Sequence, residues 1–266
     1  MDVTAPDLWH LIVLGGFGVG FLVGITGVGA GSLMTPFLIH MHVPPVVAVG
    51  TDLLFACITK ASAAWRHHSM GNVDWRIVRW LAAGSLPGAA LMLGWLYMAQ
   101  PDTHAMAMTI RQVLAIALVT SAIAVALYPW LKRHAEHAPD AQGPETLRRM
   151  PTLLLGLLLG VLVALTSVGA GAIGVVVLTA LYHWMPARRL IGTDIVHAIP
   201  LTFVSGLSHL GMGNVDLTVL VFLLAGSIPG IALGSRLTGK IPDWILRVIL
   251  ALVLLWAAYS LVNKAH

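Results

Sequence analysis

Ten stretches of nearly unbroken apolar sequence follow one another along this chain. They lie at roughly 8–25, 32–42, 47–65, 76–98 and 107–131, then 152–166, 172–185, 190–208, 217–235 and 244–262. Runs approaching 20 residues read as helices that cross a bilayer. The rest of the composition agrees. Of 266 residues 58% are hydrophobic and 10% charged, whereas a soluble domain carries about a quarter charged residues. So few charges cannot coat a water-soluble globule, which excludes a soluble enzyme, and over most of the length they exclude disorder. The expectation is an all-α polytopic membrane protein with lipid as its main partner.

A net charge of +4 raises the question of nucleic acid. The Lys and Arg residues do not gather into a patch with interleaved aromatics, so no nucleic acid is expected. The one cysteine, Cys57, rules out an intrachain disulfide and a thiolate zinc site. The first ten residues hold no Lys or Arg, whereas a secretory signal wants a basic n-region. The first apolar run is therefore expected to be retained.

One long polar stretch, Lys132 to Met150, separates the fifth run from the sixth and reads as a linker in water. It divides the chain into an N-terminal repeat (1–131), a linker (132–150) and a C-terminal repeat (151–266), which together form one integrated transport domain. The two sides match. Thr26-Gly27-Val28-Gly29-Ala30-Gly31 parallels Thr166-Ser167-Val168-Gly169-Ala170-Gly171 at an offset of 140. Gly50-Thr51-Asp52 parallels Gly192-Thr193-Asp194 at 142, as Met70-Gly71-Asn72-Val73-Asp74 does Met212-Gly213-Asn214-Val215-Asp216. Ala83-Gly84-Ser85-Leu86-Pro87-Gly88 parallels Ala225-Gly226-Ser227-Ile228-Pro229-Gly230 at 142 as well. Collinear matches at a nearly constant offset indicate an internal duplication.

Five segments per half is an odd number, so the second half should enter the membrane from the opposite side. Lys and Arg concentrate in cytoplasmic loops, so equivalent loops should carry opposite biases. The turn at 43–46 has none while its twin has Arg188 and Arg189; the turn near 66–79 has Arg66, Arg76 and Arg79 while its twin has none. Both termini outside and the 132–150 linker in the cytoplasm place twelve positives inside: those five, Lys132, Arg133, Arg148, Arg149, Arg236, Lys240 and Arg247. Only Arg111 and Lys264 fall outside, and Lys60 lies within a segment. The pattern is an inverted-topology repeat in a multi-pass inner-membrane protein, the plan of many secondary transporters.

Segments 32–42 and 172–185 are short for a 30 Å core, and each follows a glycine-dense stretch. Whether 8–25 and 32–42 each cross or form a re-entrant hairpin stays open. Glycine weakens a helix interior, so a broken or re-entrant helix is expected in each half. A half-helix that starts inside the membrane presents unpaired N–H groups and a partial positive charge, and an anion is their natural partner. The expected substrate site is therefore Thr26, Gly27, Val28, Gly29, Ala30, Gly31 and Ser32 with Thr166, Ser167, Val168, Gly169, Ala170 and Gly171. The hydroxyls of Thr26, Ser32, Thr166 and Ser167 would add polarity without charge. Close helix packing through small residues is the bland alternative, and freed carbonyls could hold a cation.

Taken together, these motifs resemble the sulfite exporter TauE/SafE family of membrane permeases. The likeness rests on the glycine series Gly20, Gly24, Gly27, Gly29 and Gly31, on both Gly-Thr-Asp triplets, on the Gly-Asn-Val-Asp turns, and on Gly226 to Gly234. The resemblance implies transport of small sulfur-containing or organic anions, such as sulfite or sulfonates, across the inner membrane. In the second half Ser167 replaces the first glycine, so the halves are expected to contribute unequally.

Ionisable groups in membrane segments are functional candidates. Lys60 either snorkels to the surface near Arg66 or attracts substrate. His197, whose twin is Phe55, is either a neutral buried group bonded to a backbone carbonyl or part of a proton path. Asp52 and Asp194 either serve the dipole of a nearby helix or carry protons and gate, with Thr51 and Thr193 beside them. Asn72, Asp74, Asn214 and Asp216 read as turn and cap residues. Trp65, Trp75, Trp80, Trp184 and Trp244 suit an interfacial belt.

The expected function is a permease for a small anion, working by alternating access without cofactor or metal; a homodimer is admitted as its assembly. The rival within transport is a cation or metal-ion carrier using Asp52 and Asp194. An embedded enzyme would need a nucleophile–base pair or metal triad, and the sequence offers neither His-Glu-x-x-His nor Gly-x-Ser-x-Gly. A non-catalytic scaffold would not need two broken helices.

Overall fold

A computed structural model describes residues 9–26, 33–99, 103–136, 146–237 and 242–263. Among these the chain is helical throughout: α1 (Trp9–Thr26), α2 (Met34–His40), α3 (Pro45–Ser69), α4 (Trp75–Ala99), α5 (Thr103–Glu136), α6 (Arg149–Thr166), α7 (Ala172–Leu181), α8 (Ala187–Gly211), α9 (Leu217–Leu237) and α10 (Asp243–Asn263). Each matches one apolar run. Eight are long and apolar enough to cross a membrane. The exceptions are α2, with 7 residues, and α7, with 10. At 1.5 Å per residue α7 rises about 15 Å, half of a hydrocarbon core. α5 runs on to Glu136, through the first residues of the polar stretch.

The helices pair across the sequence midpoint: α1 with α9, α4 with α6, α3 with α8 and α5 with α10. Glycine stripes set the first two pairs. Gly16, Gly20 and Gly24 face the backbone of Leu223, Ser227 and Ile231, and Gly226, Gly230 and Gly234 face that of Val13, Phe17 and Phe21. On the other pair Gly84 and Gly88 meet Leu153 and Leu157, while Gly156 and Gly160 meet Leu81 and Ser85. A Cβ on Gly20 would sit 2.5 Å from the Ser227 carbonyl oxygen. Such backbone approach is how helices associate where lipid removes the hydrophobic drive. It explains why the Gly226–Gly234 motif and its α4 counterpart are spaced by four. Large apolar side chains such as Leu91, Met98 and Trp130 point outward, as a lipid-facing surface requires.

Buried at the centre, α3 and α8 run antiparallel. The Gly-Thr-Asp triplet of each clasps the turn of the other half. The Thr51 hydroxyl accepts the Asp216 N–H at 3.0 Å, and the Thr193 hydroxyl accepts the Asp74 N–H at 2.9 Å. Gly50 leaves room for the Asn214 carbonyl and Gly192 for that of Asn72. Asp74 and Asp216 in turn cap α4 and α9 by accepting two backbone N–H groups each. Two motifs that look independent in sequence are thus one interlock, made twice.

Candidate functional site

Between α6 and α7 the backbone leaves the helix. Ser167 is left-handed (φ 60°), and Gly169 and Gly171 follow at φ 128° and 117°, values that suit glycine. The counterpart connection, Gly27, Val28, Gly29, Ala30, Gly31 and Ser32, lies outside the described residues. Thr26 and Thr166 spend their hydroxyls on their own helices, donating to Leu22 and Leu162. The Thr166 hydroxyl also accepts the Val168 N–H at 3.2 Å, which pins the start of the connection.

Each short helix receives a carboxylate at its beginning. Asp52 on α3 accepts the Thr35 N–H at 3.1 Å and the Thr35 hydroxyl at 2.5 Å, at the first turn of α2. The Ser167 hydroxyl approaches the same carboxylate without closing a hydrogen bond of good geometry. Asp194 on α8 points at the first turn of α7. One of its oxygens packs where a side chain on Gly174 would be, and the Gly171 N–H faces it, again without closing a bond. The helix ends expected to receive substrate directly are thus already faced by acidic groups.

Lys60 does not snorkel. It is 4% exposed, and its ammonium donates to the Ala170 carbonyl at 3.4 Å. The nearby pull of Asp194 and Asp52, both fully buried, explains why: a lysine stem reaches water only when nothing inside answers its charge. His197, also fully buried, pairs its Nε2 with the Ser85 hydroxyl of α4 at 2.8 Å, not with a carbonyl. Asp52, Lys60, Asp194, His197, Ser167, Ala170 and Gly171 therefore form one neighbourhood. Thr51 and Thr193 do not join it, being committed to the two turns.

Above Asp194 lies a cavity of about 230 Å³. It is lined by Arg188, Arg247, His67, Tyr128, Gly171, Ala172 and Asp194, by Thr26 from the end of α1, and by apolar side chains such as Val175 and Ile191. The Arg247 guanidinium stands 4.2 Å from the Tyr128 ring centre, a cation–π contact that holds it there. The volume is below the about 300 Å³ at which drug-sized sites begin, so it suits a small solute. Sequence reasoning counted Arg188 and Arg247 only as topological charges and passed over Thr35. Their positions one turn into α8, α10 and α2 are the signal that could have found them.

Beside this cavity Asp74 binds Arg76 at 3.2 Å and Arg189 at 3.1 Å. Burial pushes its carboxyl up, but hydrogen bonds from the Arg76 side chain and N–H, the Arg76 charge and the Ile77 N–H outweigh that. The group sits below the ordinary carboxylate range.

Among the described residues, ten helices, eight of them long and apolar enough to cross a membrane, enclose a buried polar centre and a cavity lined in part by arginines, the architecture of a multi-pass membrane protein. The chain belongs to the sulfite exporter TauE/SafE family, whose profile matches residues 12–261. It is 34% identical to a probable membrane transporter protein of Bacillus subtilis, YjnA, over 94% of this chain and 98% of that one. A second B. subtilis probable transporter, YdhB, is 26% identical over 89% and 93% of the two chains. One from Methanocaldococcus jannaschii is 26% identical over 93% and 92%. No solved structure matches.

Proposed function

We propose that this chain is a secondary transporter for small anions, sulfite or organosulfonates first among them, working by alternating access. The observation that carries the proposal is the cavity. It is lined by Arg188, Arg247 and His67 together with Gly171 and Ala172 at the start of α7 and with Thr26. Two guanidiniums and a helix N-terminus attract a negative solute. The matched pairings α1·α9 and α6·α4, and the doubled Gly-Thr-Asp interlock, support two halves of inverted topology. By the positive-inside rule the mouth with Arg188 and Arg247 faces the cytoplasm of an inner-membrane protein. The family's description and its sulfur-anion substrates support the choice of solute.

Substrate rests against the N–H groups at the start of α7, from Gly169 to Ala172. Lys60 and the arginines offset the charge of Asp194. A cation carrier using Asp52 and Asp194 would have to compete with Lys60, which already stands between those carboxylates. It predicts that neutralising both aspartates eliminates binding, whereas the anion reading predicts partial loss.

The test is a thermal-shift screen of the purified chain against sulfite, sulfate, thiosulfate, taurine, sulfoacetate and acetate, followed by flux into proteoliposomes. At least one anion should raise the melting temperature and cross the membrane. Gly169→Leu and Gly29→Leu should insert yet lose transport; normal anion flux in both would refute the site.

A further inference from the structure

Three ionisable groups are buried together at the centre. Asp52, Asp194 and Lys60 are at most 4% exposed, two carboxyl groups beside one amine. The groups around them are few. On α3 there is Cys57; on α8, His197, bonded to Ser85 of α4; on α2, Thr35; and at the start of α7, the Gly171 N–H and the Ala170 carbonyl. Across the cavity stand His67, Arg188, Arg247 and Tyr128. An arriving anion would be a further negative charge beside Asp194, out of bulk water. Like charges in such a place do not stay together. Arg188 and Arg247 offset part of that charge, and a proton on Asp194 would remove the remaining repulsion.

The two carboxylates differ in how well they can take that proton. Asp52 has its charge answered by two donors from Thr35. Asp194 borders the cavity, and neither of its oxygens closes a hydrogen bond of good geometry. We propose that the transporter is proton-coupled and that Asp194 is the proton carrier. Its carboxyl group takes up a proton from the solvent on the side the anion enters, once that side opens to it, and gives it up to solvent on the other side as the anion leaves. No covalent bond to the substrate forms, and one proton and one anion move the same way. This rests on the anion-permease reading above.

The test uses the full chain in proteoliposomes loaded with the pH dye pyranine, with the membrane potential clamped by valinomycin and potassium. Labelled thiosulfate and sulfoacetate serve as probes, because neither titrates near neutrality. Anion entry should acidify the lumen in proportion to isotope uptake. An outside pH of 6 against 8 within should speed uptake about tenfold over equal pH. Asp194→Asn should abolish both responses while isotope exchange at equal pH persists at a reduced rate. Asp194→Glu should restore coupling, and His197→Gln should keep it. Anion flux with no lumenal acidification and no response to the gradient overturns the proton proposal and leaves the permease standing. Loss of coupling in His197→Gln but not in Asp194→Asn overturns the assignment to Asp194. If none of the six screened anions binds or moves, the permease reading falls and takes this inference with it.

Discussion

Asp52 and Asp194 hold the same place in the two halves of the sequence, yet the structure treats them differently. Asp52 is sealed against α2 by the amide and hydroxyl of Thr35. The residue matching Thr35 in the second half is Val175, which has no hydroxyl to give and instead lines the cavity beside Asp194. Asp52 is not among the residues lining that cavity. Lys60 is one-sided too, since its twin position is Thr202. A duplicated scaffold can thus carry an unduplicated site. The two matching triplets supply two carboxyl groups at two helix starts; one is hydrogen-bonded by Thr35, and the other is left unpaired, buried at the edge of the cavity.

The harshest way to break the comparison is to remove the cation the two aspartates share. Lys60→Leu leaves the two buried carboxyl groups without the nearby ammonium and leaves the Ala170 carbonyl without its donor. Anion flux should fall at least about a hundredfold and the detergent-solubilised protein should melt earlier. Near-normal flux would show that the aspartates are not coupled through Lys60.

Next come the aspartates themselves. Asp52→Asn loses charge-assisted bonds to Thr35, a cost of about 1.5–3 kcal/mol. Asp194→Asn has no such bonds to lose, so its denaturation midpoint should move less than half as far, while its transport suffers more. Equal stability losses would mean that the two sites are held alike.

The sequence made the ten helices legible because lipid imposes a simple rule: each run must be apolar and long enough. It also exposed the pairs Thr51/Thr193 and Asp52/Asp194, because duplication prints the same letters twice. It did not show that Thr51 and Thr193 each reach into the other half, because a hydroxyl's partner 119 or 165 residues away leaves no local trace. The fate of Lys60 was hidden for the same reason. Its distance from the surface allows snorkelling, and only the Ala170 carbonyl and two carboxylates from elsewhere decide against it. Arg188 and Arg247 read as loop charges because their helices begin beside them; that both line one cavity is a property of the assembled bundle.

The cavity gives a gentler contrast. Arg188 lines it, and the twin of Arg188 is Val46. Arg188→Gln should raise KM for the transported anion about tenfold, equivalent to about 1.4 kcal/mol, with a smaller effect at high salt. Val46→Gln should leave KM within about twofold. The same rise in both would mean that the cationic wall does not bind substrate.

The smallest contrast lies in the two capping turns. Asp74 and Asp216 both cap a following helix through backbone N–H groups, but Asp74 also holds Arg76 and Arg189. Asn caps a helix about as well as Asp, so exchanging each for Asn isolates the arginine contacts. Both arginines are a third to a half exposed, and pairs of that kind contribute about 0.5–1 kcal/mol. Asp216→Asn should be close to neutral, and Asp74→Asn should cost that small amount at pH 7. The folded carboxyl of Asp74 lies below its unfolded value of about 3.9. Its contribution is therefore complete above that value and is lost as pH falls through the lower, folded one. Denaturation of wild type and Asp74→Asn should differ at neutral pH and converge in acid; a gap that widened in acid would contradict the ion pairs.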